Sequence, residues 1–243
     1  MTILEEATFK NIFFYFSELA HKNNLKVLPA RNYLLLPEKN VGRDLDLIVL
    51  LKDIKIWRQI IKEISKKFDL KLEFGPTYRY CHQFHLSNKE FHLEIDLLVR
   101  FEWRGIKWLE NCEAVSFSKK YKNNLYIPNT DHEFFITFNH SYLHGGFYPK
   151  KYSKKLIHLY SLEKEKIFNL MKNIYGKKNS KTILKFICKE DFNSLNEINK
   201  KIRLNIILKS FIRNPLKIFM RCLLSYVYDF YLKSRLHGKR LNN

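Results

Sequence analysis

The sequence has no C-x-x-C pair, and its four cysteines, Cys81, Cys112, Cys188 and Cys222, lie far apart. That spacing argues against a zinc knuckle or a disulfide framework and fits a reducing compartment. There is no H-E-x-x-H and no G-x-x-x-x-G-K-[ST], so neither a zincin helix nor a P-loop is encoded. No internal repeat and no low-complexity segment occurs. Near the C-terminus the longest uncharged run, Cys222 to Tyr228, is far short of the roughly 18 to 20 apolar residues that span a bilayer. Met1 to Glu6 is acidic where a secretion signal is basic. The expectation from these absences is a cytoplasmic protein without a spanning helix.

Acidic residues are also in deficit, with 24 Asp+Glu against 44 Lys+Arg and a net charge of +20. The excess is uneven. Tyr142 to Asn243 holds 23 basic and 6 acidic residues, whereas the first 141 residues hold 21 and 18. A polycationic half implies an anionic partner: a phosphorylated substrate, an anionic lipid surface or nucleic acid. Nucleic acid fits less well, because no aromatic-rich RNA-binding signature stands out.

The hydrophobic pattern alternates between helix and strand periods. Phe9, Ile12, Phe13, Phe16, Leu19 and Ala20 mark an amphipathic helix over 4–22. Leu25 to Leu28 reads as a short strand and Asp44 to Leu51 as a longer one. A helix follows to Phe68, with Asp53 as its cap. Leu70 to Phe74 is a strand ended by a Gly75-Pro76 turn. Tyr78 to Leu86 and Phe91 to Val99 form a hairpin across Ser87-Asn88-Lys89-Glu90. Leu125 to Pro128 is extended, Asp131 to Leu143 is helical up to Gly145-Gly146, and the rest is helical and basic. Asn214-Pro215 opens a last helix through Tyr231, which either packs on the helical half or lies on an anionic membrane as a peripheral contact. The order of elements predicts an α+β fold with a small mixed sheet.

Two runs stand apart from this pattern: Asp44-Leu45-Asp46-Leu47 and Glu94-Ile95-Asp96-Leu97. Side chains at i and i+2 of a strand share a face. Asp44 therefore goes with Asp46, and Glu94 with Asp96, while the intervening aliphatics turn to the core. Clustered carboxylates repel each other and are costly to desolvate. A divalent cation is the commonest reason to tolerate them, and such oxygen donors suit Mg²⁺.

An acid–apolar–acid triplet on one strand with a third acid on a later strand resembles the nucleotidyltransferase superfamily with the polymerase-β-like palm. Further stretches narrow the likeness: Leu28-Pro29-Ala30-Arg31-Asn32-Tyr33, Gly42-Arg43-Asp44-Leu45-Asp46, Trp103-Arg104-Gly105, Leu143-His144-Gly145-Gly146 and Arg213-Asn214-Pro215-Leu216. Together they resemble nucleotidyltransferase-like proteins of bacterial surface-polysaccharide gene clusters. The resemblance implies a nucleotidyltransferase-like α+β domain over 1–128 and a basic helical domain over 129–243. It implies Mg²⁺ or Mn²⁺ held by Asp44, Asp46 and Asp96, with Asp96 also assisting deprotonation of the acceptor. The donor would be a nucleoside triphosphate or a nucleotide-activated compound, and the acceptor a saccharide or lipid-linked intermediate. Arg31 and Arg43 are the candidate phosphate contacts. Typical members hold the triphosphate at a helix that opens with Gly-Gly or Gly-Ser; here Pro29-Ala30-Arg31-Asn32 stands instead. Some members continue into a thymidylate-kinase-like domain with a P-loop. The alternative reading is thus a non-catalytic module that docks a kinase-like partner or an anionic membrane. The sequence does not set the oligomeric state.

Other candidates read as ordinary surface or core. His140 and His144 lie one helical turn apart without a third ligand. His82 and His85 match no ligand pattern, and His92 shares the Asp96 face. Lys150, Lys151, Lys154 and Lys155 form a solvated run that meets a phosphorylated substrate only on the functional reading.

Overall fold

The computed structural model describes residues 3–38, 44–78, 80–148 and 150–216, and beyond these only 218–221, 223, 224 and 227. Arg43 and half of the helix expected after Pro215 lie outside the described residues. Chain contacts divide the protein into two compact units. The first comprises 1–101 and 109–137, the second 102–108 and 138–243. The division at 137/138 falls inside a helix, and the short stretch 102–108 leaves the first unit for the second.

The first unit is the α+β half. Helix α1 (Ile3–Lys22) precedes strand β1 (Asp44–Ile48), helix α2 (Ile54–Lys67) and strands β2 (Lys71–Thr77), β3 (Cys81–Ser87) and β4 (His92–Leu98). The four strands form one mixed sheet in the order β1-β4-β3-β2. β4 runs parallel to β1 and antiparallel to β3, and β2 closes the far edge antiparallel to β3. The apolar sheet residues Leu45, Leu47, Phe84, Leu86, Leu93, Ile95 and Leu97 share a buried cluster with Phe9, Phe13 and Phe16 of α1 and Trp57, Ile60, Ile61 and Ile64 of α2. Phe16 stacks on Trp57 at 5.4 Å between centroids. With one face committed to helices, the register is fixed, because a one-residue slip would turn every acid inward.

Several boundaries differ from the sequence reading for local reasons. Leu25–Leu28 is not a full strand; Val27 and Pro29 make only isolated bridges, to Leu125 and Leu47. Gly75-Pro76 does not end β2, which continues to Thr77 through an irregularity in its pairing with β3. An edge strand tolerates a proline whose missing N–H costs no ladder bond. Asp53 stands at the start of α2, but its side chain accepts no capping hydrogen bond, since a 3₁₀ turn over Leu51–Asp53 leads directly into the helix. The β3–β4 hairpin is as expected. Asn88 Oδ1 closes its turn by accepting from the amides of Glu90 and Phe91 at 2.9 and 2.8 Å.

After β4 comes a hairpin of β5 (Phe101–Trp103) and β6 (Ile106–Leu109), then α3 (Asn111–Ser116), β7 (Lys119–Lys120) and β8 (Tyr126–Ile127). Asn111 is a clamp. Its buried Nδ2 donates to Val49 O at 3.1 Å and Leu98 O at 2.8 Å, tying α3 to the ends of β1 and β4. Asn111→Ala removes both bonds and is expected to cost about 2 kcal/mol, read as a lower urea midpoint at unchanged slope.

Helix α4 (Thr130–Asn139) carries the chain into the second unit. There a π-helical turn over His140–Gly145 ends at Gly146, whose left-handed φ of 77° makes it the stop that Gly145-Gly146 predicts. Helices α5 (Ser153–Leu162), α6 (Lys164–Tyr175), α7 (Lys177–Cys188) and α8 (Phe192–Arg213) complete the described part. Their core includes Leu156, Ile167, Met171, Tyr175, Ile183, Ile187, Leu195 and Ile202. The fold is α+β with a helical C-terminal region. No helix among the described residues is long and apolar enough to cross a membrane.

Candidate functional site

Parallel pairing of β1 with β4 sets Asp44 opposite Glu94 and Asp46 opposite Asp96. Paired residues project to the same side, so the four carboxylates occupy one sheet face, the one turned away from α1 and α2. β3 adds Gln83 opposite Asp96 and His85 opposite Glu94. The polar face thus has an acidic centre, with Asp46 and Asp96 each two residues before the end of its strand, on edge strand β1 and central strand β4.

The acids are not equivalent. Asp44 is exposed, Asp46 is buried, and Glu94 and Asp96 are half-buried. Asp46 Oδ2 accepts from Arg31 Nε at 2.7 Å, and both side chains are largely covered. Arg31 reaches Asp46 because 27–30 lies along the free edge of β1: Ala30 N donates to Asp46 O, and Ile48 N to Leu28 O. Asp96 has weaker help. Gln83 Nε2 stands 3.3 Å from its Oδ2 and 3.4 Å from Glu94 Oε1. Its Oδ1 is buried and has no hydrogen-bond partner. The Asp96 carboxyl is pushed up to about 7, by burial first, then by the charges of Asp46 and Glu94, with Gln83 pulling the other way. Burial first, then the charges of Asp96, Asp46 and Glu94, raise the Cys81 thiol well above its ordinary range. Cys81 is therefore a buried neighbour and not a nucleophile.

A buried carboxylate oxygen without a donor is an expensive arrangement unless a cation completes it. The donor set is all oxygen at this point, which fits Mg²⁺ or Mn²⁺. Asp46 and Asp96 are the residues that would hold it, with Asp44 at the exposed margin; among the described residues the three do not bring their ligand atoms within 4.8 Å of one another. Arg31, a candidate phosphate contact by sequence, is engaged with Asp46 and neutralises one acid of the centre.

One cluster escaped the sequence reading. His85 Nδ1 is 3.8 Å from Glu94 Oε2, and the His85 and His92 rings stack at 5.8 Å. Ligand atoms of His85, His92 and Glu94 all lie within 4.8 Å of one another, a two-histidine, one-carboxylate set of the kind that takes borderline divalent ions. The signal was present in the hairpin: pairing outward from Ser87-Asn88-Lys89-Glu90 puts His85 opposite Glu94. Gly75 leaves room for it, since a Cβ there would lie 2.8 Å from Gln83 Cβ and 2.9 Å from His85 Nε2. His82 is on the other face, 2.9 Å from Arg58. In the second unit, His140 and His144 stack at 5.9 Å. The His144 imidazole is pushed down to about 4, by burial first and then by His140 and Arg203. Among the described residues they form no three-ligand group.

No family model, curated protein or solved structure matches this chain. The site therefore stands on its own geometry. Residues 31–38 form bends and turns, with no helix opening in that described stretch. Where a Gly-Ser helix would present amides to a triphosphate, this chain presents a guanidinium held by an acid.

Proposed function

We propose that the protein transfers a nucleotidyl or related phosphoryl group to a saccharide or lipid-linked acceptor, in a Mg²⁺-dependent reaction of surface polysaccharide assembly. The observation that carries the reading is the in-register Asp46–Asp96 pair with one buried Asp96 oxygen lacking a donor. The polysaccharide context comes from the motif resemblance alone.

A Mg²⁺ ion held by these acids would neutralise phosphate charge and lower the pKa of an acceptor hydroxyl. The remaining roles belong to the chain. Asp96 would hold the cation and assist removal of the acceptor proton. Arg31 fixes the Asp46 rotamer and offsets one negative charge. Gln83 orients Asp96 and Glu94 together. The apolar underside, with Leu45, Leu47, Ile95 and Leu97 fully buried, keeps both strands rigid beneath the acids.

The test is turnover of the four nucleoside triphosphates and common nucleotide sugars with Mg²⁺ or Mn²⁺, in wild type and Asp46→Asn. Activity present in the first and lost in the second supports the reading; equal turnover in both removes Asp46 from the chemistry. The turn at 31–38 favours a second reading, a non-catalytic module docking a kinase-like partner or an anionic membrane. Metal binding without turnover of any donor would select it.

The two-histidine cluster adds an inhibition prediction. Glu94 is shared between it and the acid face, so Zn²⁺ bound there would draw Glu94 from Gln83 and disturb Asp96. Micromolar Zn²⁺ is expected to inhibit wild type, and His92→Ala is expected to resist it by about tenfold in concentration, one lost ligand being worth about that much or more. Superimposable Zn²⁺ inhibition curves would contradict the prediction.

A further inference from the structure

The second unit contains a cleft of ≈ 360 Å³, within the roughly 300–1,000 Å³ range of small-molecule sites. Five cations line it: Lys107, Lys172, Lys209, Arg213 and Arg221. They come from β6, α6, α8 and the segment after α8, so the fold gathers them from four separate places. No acidic residue lines the cleft among the described residues. Four isoleucines, Ile106, Ile174, Ile206 and Ile218, supply an apolar part of the wall.

A simpler account is that these cations complement helix ends. α6 and α8 both finish at the cleft, and each C-terminus carries about −0.5 charge. Two ends give about −1 against Lys172, Lys209, Arg213 and Arg221. α7 begins at the cleft wall after Gly176, without a side-chain cap, and adds about +0.5. The cleft is left with several uncompensated positive charges. Two backbone positions also favour the arrangement. Gly176 has φ 79°, and a Cβ there would lie 3.1 Å from Lys209 Nζ. Gly105 has φ 76°, and a Cβ there would lie 2.5 Å from Arg221 Cβ. Arg221 is fixed across it by a 2.8 Å hydrogen bond from its Nη1 to Gly105 O. Bulkier residues at either glycine would crowd a lining cation.

We infer that this cleft binds an organic diphosphate, with the phosphates among Lys172, Lys209, Arg213 and Arg221 and the organic part against the isoleucines. A diphosphate matches the charge better than a single phosphate, and lysine and arginine are its usual partners. The mixed cationic and apolar lining admits either a nucleoside diphosphate or a lipid-linked diphosphate. The inference uses residues of the second unit only and stands apart from the acid centre of the first.

The test is isothermal titration of the full chain, in EDTA, with inorganic pyrophosphate, UDP and farnesyl diphosphate. Pyrophosphate is expected to bind saturably at one site per chain. Lys172→Ala/Lys209→Ala is expected to weaken it at least tenfold. Both lysines are exposed, and an unchanged circular dichroism spectrum would show that the fold survives. Lys62→Ala/Lys66→Ala removes the same charge from exposed positions of α2 and is expected to change affinity less than twofold. Asp96→Asn is expected to bind as wild type. Tighter binding of UDP or of farnesyl diphosphate than of pyrophosphate supports the cleft and names the source of the ligand. Absence of saturable binding, equal weakening by the two lysine pairs, or loss in Asp96→Asn would overturn the proposal.

Discussion

Asp96→Asn is expected to abolish transfer, by about 10³-fold or more, and at the same time to stabilise the metal-free protein at pH 8. The loss follows because one carboxylate serves both cation binding and proton removal, together worth several kcal/mol in the transition state. The gain follows from electrostatics. Burial and the neighbouring Asp46 and Glu94 charges hold the Asp96 carboxyl near 7, well above its ordinary 3.8. A raised carboxyl binds its proton more tightly in the folded state than in the unfolded one. Its contribution is therefore intact below about pH 4 and is lost as pH rises towards 7. At pH 8 the folded chain carries an ionised group that it disfavours, and an uncharged amide relieves roughly 2–4 kcal/mol. Thermal denaturation across pH 4 to 8 reads this directly. Wild type and Asp96→Asn should converge near pH 4, diverge progressively as pH rises to about 7, and keep a level difference above it. A side chain kept only for folding would not behave so, because its replacement would lower the melting temperature throughout.

Arg31→Met should do the opposite. Arg31 and Asp46 form a largely covered ion pair at 2.7 Å, with side chains 16% and 9% exposed. Removing one partner leaves Asp46 beside Asp96 with no counter-charge, at a cost of about 3 kcal/mol. The loss should be larger at pH 8, where Asp96 is also ionised, than at pH 5. Urea denaturation at both values measures it. The double variant Arg31→Met/Asp46→Asn is expected to recover most of the stability, because the orphaned charge is gone. If Arg31 served only as a phosphate contact, the single variant would weaken donor binding and leave the urea midpoint in place.

The acid centre was legible in part. Alternation over 44–47 and 94–97 fixes which residues share a face of each strand, since side-chain period on a strand is two. It does not say that β1 and β4 are neighbours. That depends on the β3–β4 hairpin entering the sheet beside β1, a contact across some fifty residues that no local pattern encodes. The apolar stripe of α1 was equally plain, because its spacing fits one helix face. Gly75-Pro76 misled because turn chemistry and edge-strand irregularity use the same residues. Arg31 was visible as a cation near the acids, but its partner was not. The pairing rests on the Pro29–Leu47 bridge and the backbone bond from Ala30 to Asp46, which a strand pattern over 25–28 does not reveal. Asn111 and the diphosphate cleft were hidden for a related reason. Each depends on groups from distant segments meeting at helix ends, where sequence carries only ordinary polar residues.

Electron paramagnetic resonance of Mn²⁺ titrated into the chain reports the cation cradle without requiring a donor, an acceptor or turnover. The account predicts that wild type removes the free-ion signal with a saturable site. It predicts that Asp46→Asn and Asp96→Asn each weaken that site at least tenfold, while Asp53→Asn at the start of α2 changes nothing. Equal Mn²⁺ uptake by wild type and Asp96→Asn would contradict it.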